Sequence, residues 1–543
     1  MADLPAGADA WPWLAVAGAK PSLPAQRRLP DLERRLEAAF ETSAESWWAL
    51  CRSRAADPGA GFAHALTAGS FGSDFGLMLA WSRLVGELVA ARESVLVICD
   101  DPWLFRHLAM LPGVTAGAPP PLFSAGLRLA LRGRLARGVV ALRCIRAAWV
   151  LGKQRRQCRP GNTAILVYGH PESRADGHDA YFGDLMARIA GLKRLLQTDC
   201  GGALAGELAA DGRTASLHAW GSPLFALLAL PFTRWRPAVG ADPAYAWLLR
   251  RAAARENGGG GPAMNRWQQH CQSRWLAAAR PARVLWPWEN HGWERALCRA
   301  ARAQGVATVG YQHTVVGPHQ INYSIAANAD GVASIPDIIA CDGPAYRDEL
   351  AAWGVPADRL TVAGAFRFRR GGGPRFVADA PVFVALSAIP EAARAQVAAA
   401  CRLADAGFTV AVKDHPMYPF ARTDSDMAKD PANMTWTDIP LRDQPALSAV
   451  LYSTGTSGLE ALLAGIPTVR LLLDDRLAID VLPRGVTVRT ATVDTVAEVF
   501  AAGLPRPELA WESVLAPVDD EKWRELAGVA PNPVSPMPVE TVP

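Results

Sequence analysis

A hydroxyl-rich loop between two apolar segments is the first stretch of the chain that could do chemistry. It reads STGTSG and supplies the hydroxyls of Ser453, Thr454, Thr456 and Ser457. The preceding AVLYS is typical of a buried strand and the following LEALLAG of a helix, with Ser457 and Glu460 at the spacing of a capping box. Free backbone N–H groups, the helix dipole and hydroxyl donors together favour a phosphate group at such a junction. The alternative is that these hydroxyls only cap the helix.

A second polar group follows another apolar strand. The stretch VKDHP ends the strand-like FTVAV and contains Lys413, His415 and Pro416. The carboxyl ends of parallel strands lie at the same edge of a sheet, so Lys413 and His415 are expected beside the hydroxyl loop. A cation, an imidazole and several hydroxyls at one edge favour binding of the phosphate of a nucleotide.

A third group lies earlier in the chain, in WPWENHGWERALCRAARAQGVATVGYQH. Glu289 comes just past a strand, Glu294 lies on the following helix, and His313 ends the next strand. A carboxylate or an imidazole that faces a cleft can act as a general base. Two alternatives stay open: Glu294 as a solvated acid of the first helical turn, and His313 as a histidine satisfied by backbone groups. Asp342 follows a further strand and is expected to cap the helix in PAYRDEL.

These groups need parallel strands to position them, and the chain alternates strand-like and helix-like segments. Strands are expected at 94–101, 163–170, 214–220, 283–288, 307–313 and 337–343, and, after the Gly-rich RRGGGPRF, at 381–387, 408–416, 449–454 and 467–473. This alternation predicts an α/β protein of two Rossmann-like domains whose parallel sheets face a cleft, with a hinge near residue 370.

The predicted organisation has four parts. Residues 1–30 form an irregular N-terminal arm, and residues 31–365 form the first Rossmann-like domain with helical additions. Residues 376–515 form the second Rossmann-like domain, and residues 516–543 a C-terminal helix with a disordered, Pro-rich tail.

The charge of the chain is spread unevenly. The formal net charge of the 543 residues is +4, yet residues 102–171 contain ten Arg, one Lys and no Asp or Glu. Within them, the basic segment 126–159 places arginines at helical spacing among Leu, Val and Ala. Such a helix can lie on an anionic lipid surface, bind another protein, or be an ordinary helix with a basic face. Nucleic acid is not expected, because the aromatic side chains typical of single-strand binders are sparse here.

Cysteine usage and the apolar segments bear on location. The nine cysteines are scattered with no spacing suited to zinc, so reduced thiols and no metal are expected. The N-terminus lacks the pattern of a signal peptide, and the longest apolar runs are too short to cross a bilayer. The expectation is a cytoplasmic protein that can sit peripherally on the inner face of the cytoplasmic membrane.

Three stretches together, WENHGWERALCRAARAQGVATVGYQH, VKDHP and STGTSGLEALLAGIPTV, resemble the bacterial surface-polysaccharide glycosyltransferases of GT-B fold. The nearest likeness is to the transferases that use CMP-activated Kdo or sialic acid, and teichoic-acid glycerophosphotransferases, which use CDP-glycerol, are similar in layout. In the former a His-Pro motif and a Ser/Thr pair contact the donor, and His415-Pro416 and Ser453-Thr454 match them. In the latter a histidine followed by glycine is the base. His313 has a similar place but is followed by Thr314.

The resemblance, which covers roughly residues 283–475, implies a metal-independent, inverting glycosyltransferase with no cofactor beyond its nucleotide-sugar substrate. The second domain would bind a CMP-linked Kdo or sialic-acid-type donor through Lys413, His415, Pro416, Ser453, Thr454, Thr456, Ser457 and Glu460. The first domain would bind a glycan acceptor on lipid or on a surface polysaccharide such as capsule or lipopolysaccharide, with His313, Glu289 or Glu294 as the base. The alternatives are a CDP-polyol phosphotransferase of teichoic-acid type and a non-catalytic scaffold of polysaccharide assembly.

Overall fold

Two lobes, each built on a sheet of parallel strands, make up most of the protein. The computed structural model describes residues 7, 10–20, 22–157, 163–416, 418–420, 430–474 and 476–529. Within these residues the prediction of an α/β fold with two parallel sheets that face a cleft is confirmed. The predicted Pro-rich tail, residues 530–543, lies outside the described residues, and the domain limits stay predictions.

The N-terminal region contains a strand where an irregular arm is predicted. β1 (Trp13–Val16) pairs in parallel with β2 (Leu96–Cys99), and the two form a small sheet of their own. All four residues of β1 are buried, and Trp13 Nε1 donates a hydrogen bond to the Pro24 carbonyl at 2.9 Å. The prediction of an irregular arm is therefore wrong for these residues. Pairing with β2 stabilises a strand that its Pro- and Ala-rich surroundings do not signal.

The first lobe is built on seven parallel strands. They are β3 (Thr163–Val167), β4 (Lys193–Leu196), β5 (Thr214–Ser216), β6 (Arg283–Pro287), β7 (Ala307–Gln312), β8 (Ile338–Cys341) and β9 (Leu360–Val362). Their order in the sheet is β5-β4-β3-β6-β7-β8-β9. Successive strands are added toward one edge from β3 to β5 and toward the other edge from β6 to β9, so the topological switch point lies between β3 and β6. Ligands bind at the carboxyl ends of the strands beside such a switch point.

The second lobe is built on six parallel strands. They are β11 (Val382–Ala385), β12 (Val410–Lys413), β13 (Met434–Trp436), β15 (Ala449–Tyr452), β16 (Thr468–Leu471) and β17 (Arg489–Ala491), in the order β13-β12-β11-β15-β16-β17. Two short strands, β10 (Arg375–Phe376) and β14 (Ala446–Leu447), pair separately. The switch point lies between β11 and β15, which places the loops after β12 and β15 at the same edge. The predicted neighbourhood of VKDHP and the hydroxyl loop is thus present.

Helices cover both sheets and add a layer at the N-terminus. Their bounds are Leu32–Thr42, Ala44–Arg54, Phe75–Ala90, Pro102–Leu108, Leu122–Leu151, Leu185–Arg188, Gly202–Leu208, Pro223–Ala229, Ala246–Asn257, Gly261–Ala279, Gly292–Arg302, Pro344–Ala352, Pro390–Asp405, Ser457–Leu463, Val496–Ala501, Trp511–Val514 and Asp520–Leu526. Among the described helices, none combines the length and the apolarity that crossing a membrane requires.

The chain returns to the first lobe at its C-terminus. The helix Asp520–Leu526 packs there through Trp523, whose indole lies in T-shaped contact with Tyr311 at 5.2 Å and donates to the Ala363 carbonyl. Two glycines make room for the returning backbone. A Cβ on Gly343 would lie 2.2 Å from the Val514 carbonyl oxygen, and one on Gly364 would lie 2.0 Å from that of Pro517.

Candidate active site

The carboxyl ends of both sheets open onto one cleft of about 620 Å³. The first lobe lines it with loops that follow β3, β4, β6 and β7, and the second lobe with loops that follow β12 and β15. The polar side chains that reach the cleft include Tyr168, Asp199, Glu289 and His291 on the first lobe, Arg367 between the lobes, and His415 and Thr456 on the second. Three of the predicted site residues, Glu289, His415 and Thr456, therefore face one space.

Glu289 forms a charged pair with His291 at the floor of the cleft. The His291 Nε2 and a Glu289 carboxylate oxygen lie 2.8 Å apart, and the side chains are 25% and 29% exposed, respectively. Burial works to raise the pKa of Glu289, but the hydrogen bond from His291 outweighs it and holds that pKa at about 2. Burial likewise works to lower the pKa of His291, and Glu289 raises it to about 9. Both groups are therefore ionised at neutral pH.

The turn that presents this pair is fixed by buried polar groups. Asn290, between the two, adopts a left-handed conformation with φ 61°, which asparagine tolerates better than most residues. Its side-chain N–H₂ donates to the Asn322 carbonyl at 2.8 Å and to the Asn328 amide oxygen at 3.0 Å. The tight turn and its buried anchors direct Glu289 and His291 to the same side.

Glu294 is a structural acid of this turn. Its carboxyl oxygen Oε2 accepts hydrogen bonds from the backbone N–H groups of Glu289 at 2.9 Å and of His291 at 3.3 Å, at the start of the helix Gly292–Arg302. The side chain is fully buried, and burial raises its pKa to about 8. The interpretation of Glu294 as a solvated acid is wrong, because the loop before the helix folds over it. It does not line the cleft.

His313 lies behind the pair, out of the cleft. Its Nε2 is 3.8 Å from Glu289, and its ring packs edge-on against Tyr181 at 5.2 Å. Burial lowers its pKa to about 4, so the imidazole is neutral at neutral pH. This position suits a residue that supports Glu289, and it gives His313 no direct access to a ligand in the cleft.

Asp342 has a different role from the predicted helix cap. The helix Pro344–Ala352 begins after Gly343, with no side-chain cap. The Asp342 carboxyl group is buried and accepts a hydrogen bond from the Tyr311 hydroxyl at 2.6 Å. Burial raises its pKa to about 8, so the prediction of a cap is wrong and Asp342 belongs to the core.

Asp199 is an accessible acid of the cleft that was not predicted. It follows β4, its side chain is open to the cleft, and one carboxylate oxygen accepts from the Gly169 backbone N–H at 3.3 Å. Desolvation by the surrounding walls raises its pKa to about 6. The preceding Thr198 is fixed through its hydroxyl, which donates to Gln268 at 2.6 Å. Asp199 thus combines exposure, a rigid position and a pKa close to neutrality.

On the second lobe, the hydroxyl loop divides into buried and cleft-facing residues. Ser453 is fully buried and donates to the Leu471 carbonyl at 3.1 Å, so it holds β15 to β16. The Thr454 hydroxyl is buried and has no hydrogen-bond partner among the described residues. Gly455 has φ 130°, a conformation that favours glycine, and a Cβ there would meet open space. Gly455 and Thr456 are the parts of the loop that a ligand in the cleft can reach.

The helix after this loop begins differently from the prediction. Its N-cap is Thr456, whose hydroxyl donates to Glu460 at 3.2 Å, and Ser457 is the first helical residue. The predicted capping box of Ser457 and Glu460 is therefore wrong. The helix Ser457–Leu463 has only seven residues, so its dipole adds less to anion binding than the sequence suggests.

His415, Lys413 and Pro416 follow β12 as predicted. His415 is half-buried and lines the cleft, and burial lowers its pKa, as does the positive charge of the nearby Arg367 and Lys413. Lys413 is the last residue of the strand, and Pro416 is exposed; neither lines the cleft.

A second cavity, of about 520 Å³, adjoins the cleft and shares one lining residue with it, Arg367. Its walls carry Glu460, Leu441, Arg442 and Trp511. Burial raises the pKa of Glu460. Arg367 was not predicted; it lies just before the Gly-rich RRGGGPRF, which the sequence indicates as a hinge. Among the described residues, no cluster of three or more His, Cys, Asp or Glu could hold a metal ion.

The chain is similar to solved structures of sugar enzymes over about two thirds of its length. The UDP-GlcNAc 2-epimerase of Methanocaldococcus jannaschii matches 67% of this chain and 99% of its own, at 10% identity and a TM-score of 0.38. The calicheamicin glycosyltransferase CalG4 matches 68% of this chain and 92% of its own, at 14% identity and a TM-score of 0.38. The glycosyltransferase SnogD from Streptomyces nogalater matches 68% of this chain and 93% of its own, at 15% identity and a TM-score of 0.35. No protein-family model and no curated protein matches the chain.

Proposed function

We propose that the protein is a glycosyltransferase of GT-B type that moves a sugar from a nucleotide-linked donor to a hydroxyl of a glycan acceptor. One observation carries the proposal: acidic side chains of the first lobe face, across the cleft, an arginine between the lobes and an imidazole and a hydroxyl of the second lobe. Asp199 and the Glu289–His291 pair lie on one side, and His415, Thr456 and Arg367 on the other. Transfer from a phosphate leaving group needs both, a base for the acceptor and positive charge for the phosphate.

The donor binds on the side of the second lobe. Arg367, His415 and the Thr456 hydroxyl contact its phosphate, and they offset the negative charge that develops there as the sugar–phosphate bond breaks. The nucleoside occupies the adjoining cavity, where the Glu460 carboxylate accepts hydrogen bonds from ribose and Leu441 and Trp511 supply apolar walls. The matched His-Pro motif favours a CMP-linked sugar of the Kdo or sialic-acid type.

The acceptor binds on the side of the first lobe, and Asp199 is the base. Its carboxylate takes the proton of the acceptor hydroxyl as that oxygen attacks the anomeric carbon from the face opposite the phosphate. The bond to phosphate breaks, the nucleotide leaves and the configuration inverts. A pKa near 6 leaves Asp199 ionised at neutral pH yet more basic than an ordinary carboxylate. Glu289, already paired with His291, orients the acceptor.

The acceptor is a growing surface polysaccharide or lipid-linked glycan of the capsule or lipopolysaccharide kind. The protein meets it at the cytoplasmic face of the membrane, with the basic segment 126–159 toward the lipid. The acceptor class and this location are both supported by the resemblance of the sequence motifs to surface-polysaccharide glycosyltransferases.

A transfer assay tests the proposal. Purified protein is given CMP-Kdo, CMP-sialic acid, CDP-glycerol or UDP-sugars with lipid-linked glycan, and released nucleotide and product are measured. We expect turnover of a CMP-sugar, and a loss of about 10²- to 10⁴-fold in kcat for Asp199→Asn with binding of CMP retained. The matched control is Asp176→Asn, a surface carboxylate whose side chain is 60% exposed.

Other outcomes would contradict the proposal. Transfer of glycerol phosphate from CDP-glycerol would identify a polyol phosphotransferase. Binding of assembly proteins without turnover of any donor would identify a scaffold. Full activity in the Asp199→Asn variant would remove Asp199 from the mechanism.

A further inference from the structure

An extended apolar surface lies on the first lobe, away from the cleft. The helix Leu122–Leu151 exposes Phe123, Leu127, Leu131, Leu135, Leu142 and Trp149, of which Phe123 and Trp149 are more than 80% exposed. The neighbouring segment 223–232 exposes Leu224, Leu227, Leu228 and Phe232. These ten side chains, called the apolar face below, are the majority of the eighteen exposed large hydrophobic side chains of the described residues.

The apolar face is one continuous feature of the fold. Its residues on the long helix are spaced by four and seven, so they lie on one side of that helix. The opposite side is buried and includes Arg137, whose Nε donates to the Pro231 carbonyl at 3.1 Å. This contact joins the helix to the segment 223–232, so the two elements present their exposed side chains together.

Positive charge borders the apolar face. Arg128, Arg132, Arg143 and Arg146 are exposed on the same helix, and no described carboxylate forms an ion pair with any of them. The segments 102–171 and 212–241, which contain both elements, have no Asp or Glu. An apolar stripe with arginines at its margins matches the interface of an anionic bilayer, where the apolar side chains enter the lipid and the guanidinium groups reach the headgroups.

A second copy of the chain fits this surface poorly. A two-fold contact through the apolar face would bring these arginines toward their own equivalents, and neither of the two segments that form the face contributes an acid to neutralise them. A patch of this kind on a monomer marks an interaction site, and the charge at its border selects an anionic occupant.

The apolar face is also close to the cleft. The helix Gly261–Ala279 separates the two: Met264 and Gln268 line the cleft, whereas Arg266 and His270 contact Phe225 beneath the apolar face. The Phe225 and His270 rings are stacked at 3.8 Å. The cleft and the apolar face are thus about one helix diameter, roughly 10 Å, apart.

We propose that the apolar face docks on the surface of an anionic lipid bilayer and holds the first-lobe side of the cleft beside the lipid. The docking is inferred from the exposed apolar side chains and the arginines that border them. That it brings the cleft to a lipid-linked acceptor rests on the proposed function. The proposal includes the segment 223–232, which was not part of the basic segment 126–159 predicted from sequence.

Vesicle sedimentation of the full chain tests the proposal. Vesicles of phosphatidylcholine alone are compared with vesicles that contain 30 mol% phosphatidylglycerol, with no donor or acceptor present. We expect binding to the anionic vesicles only, weakened about tenfold or more by Leu224→Glu/Leu228→Glu and to a similar extent by Arg143→Gln/Arg146→Gln. High salt should weaken it as well. The matched control is Ile439→Glu, whose side chain is 48% exposed on the second lobe and which should bind as the unmodified protein does.

The remaining outcomes overturn the proposal. Equal binding to neutral vesicles would show that charge does not select the surface. Absence of vesicle binding, together with a dimer that Leu224→Glu/Leu228→Glu dissociates, would assign the apolar face to a second copy. Circular dichroism of each variant establishes that it is folded before binding is judged. Because no substrate is used, failure here leaves the proposed glycosyl transfer untouched, and failure of transfer leaves the docking untouched.

Discussion

A buried ion pair ties the N-terminal helix Leu32–Thr42 to the second lobe. The two guanidinium nitrogens of Arg470, on β16, donate to the Glu37 carboxylate at 2.8 and 3.1 Å. The Arg470 side chain is 6% exposed and that of Glu37 17%. Asp480, at 3.5 Å from Arg470, is a weaker second partner. Arg470 therefore depends on Glu37 for most of its compensation.

Replacing Glu37 with glutamine removes the charge and keeps the shape. Loss of one partner of a buried pair commonly costs about 3–5 kcal/mol, because the other charge is left without compensation. Asp480 and the Ala478 carbonyl, which accepts from Arg470 at 2.7 Å, keep part of that compensation. We therefore expect Glu37→Gln to weaken the docking of this helix by about 2 kcal/mol, which is roughly thirtyfold in its opening equilibrium.

Hydrogen exchange of the helix Leu32–Thr42 measures this opening directly, and urea unfolding reports the global effect. The matched control is Glu93→Gln, because Glu93 pairs with Arg35 of the same helix at 3.1 Å but on the surface, with both side chains more than one third exposed. Surface pairs contribute about 0–1 kcal/mol, so this control should change exchange little. Equal exchange rates in the two variants would refute the reasoning.

Two further predictions concern buried groups of the core. Asp342 has its pKa raised to about 8 in the folded protein, above an unfolded value of about 3.9, so stability is lost as pH rises between these values. Asp342→Asn should therefore raise the melting temperature relative to that of the unmodified protein at pH 8 but not at pH 4. The same difference in melting temperature at both pH values would contradict this prediction. Gly364→Ala, at φ 89° with its Cβ 2.0 Å from the Pro517 carbonyl oxygen, should expose the helix Asp520–Leu526 to proteolysis. Gly372→Ala, at φ 77° with open space around it, should cost only about 1–2 kcal/mol and leave that helix protected; cleavage in both variants would argue against the close approach.

The strands with uninterrupted apolar runs were predictable from sequence. β11 reads VFVA and β15 reads AVLY, and both lie within predicted strands because central parallel strands are covered on both faces. Since ligand sites follow such strands, the sequence was sufficient to predict that His415 and Thr456 lie at the cleft.

β4 was missed, and Asp199 with it, because KRLL begins with two cations. Arg194 is nevertheless fully buried. Its guanidinium group lies 3.4 Å from Asp211 and 3.8 Å from Asp179, and the two acids lie on the segments that precede and follow the strand. Sequence periodicity does not register a buried charge whose partners arrive through tertiary structure.

The roles within the predicted groups also depended on tertiary structure. Spacing alone does not distinguish Glu294, which the turn covers, from Glu289, which the same turn exposes. Ser453 and Thr456 are both hydroxyls of one loop, but the strand buries the first and the loop presents the second. Which member of a polar cluster reaches a ligand is decided by the direction of a few backbone turns.

Nucleotide binding tests the central claim most directly. The melting temperature is measured with CMP, CDP, UDP, GDP and ADP for the unmodified protein, for His415→Ala and for Arg367→Gln. Arg370→Gln serves as the control, since Arg370 is 69% exposed and pairs with Glu512. The account predicts stabilisation by CMP, about 2.7 kcal/mol at a hundred times its Kd, that both cleft variants lose and the control keeps. Absence of stabilisation by every nucleotide, or equal stabilisation of His415→Ala, would contradict it.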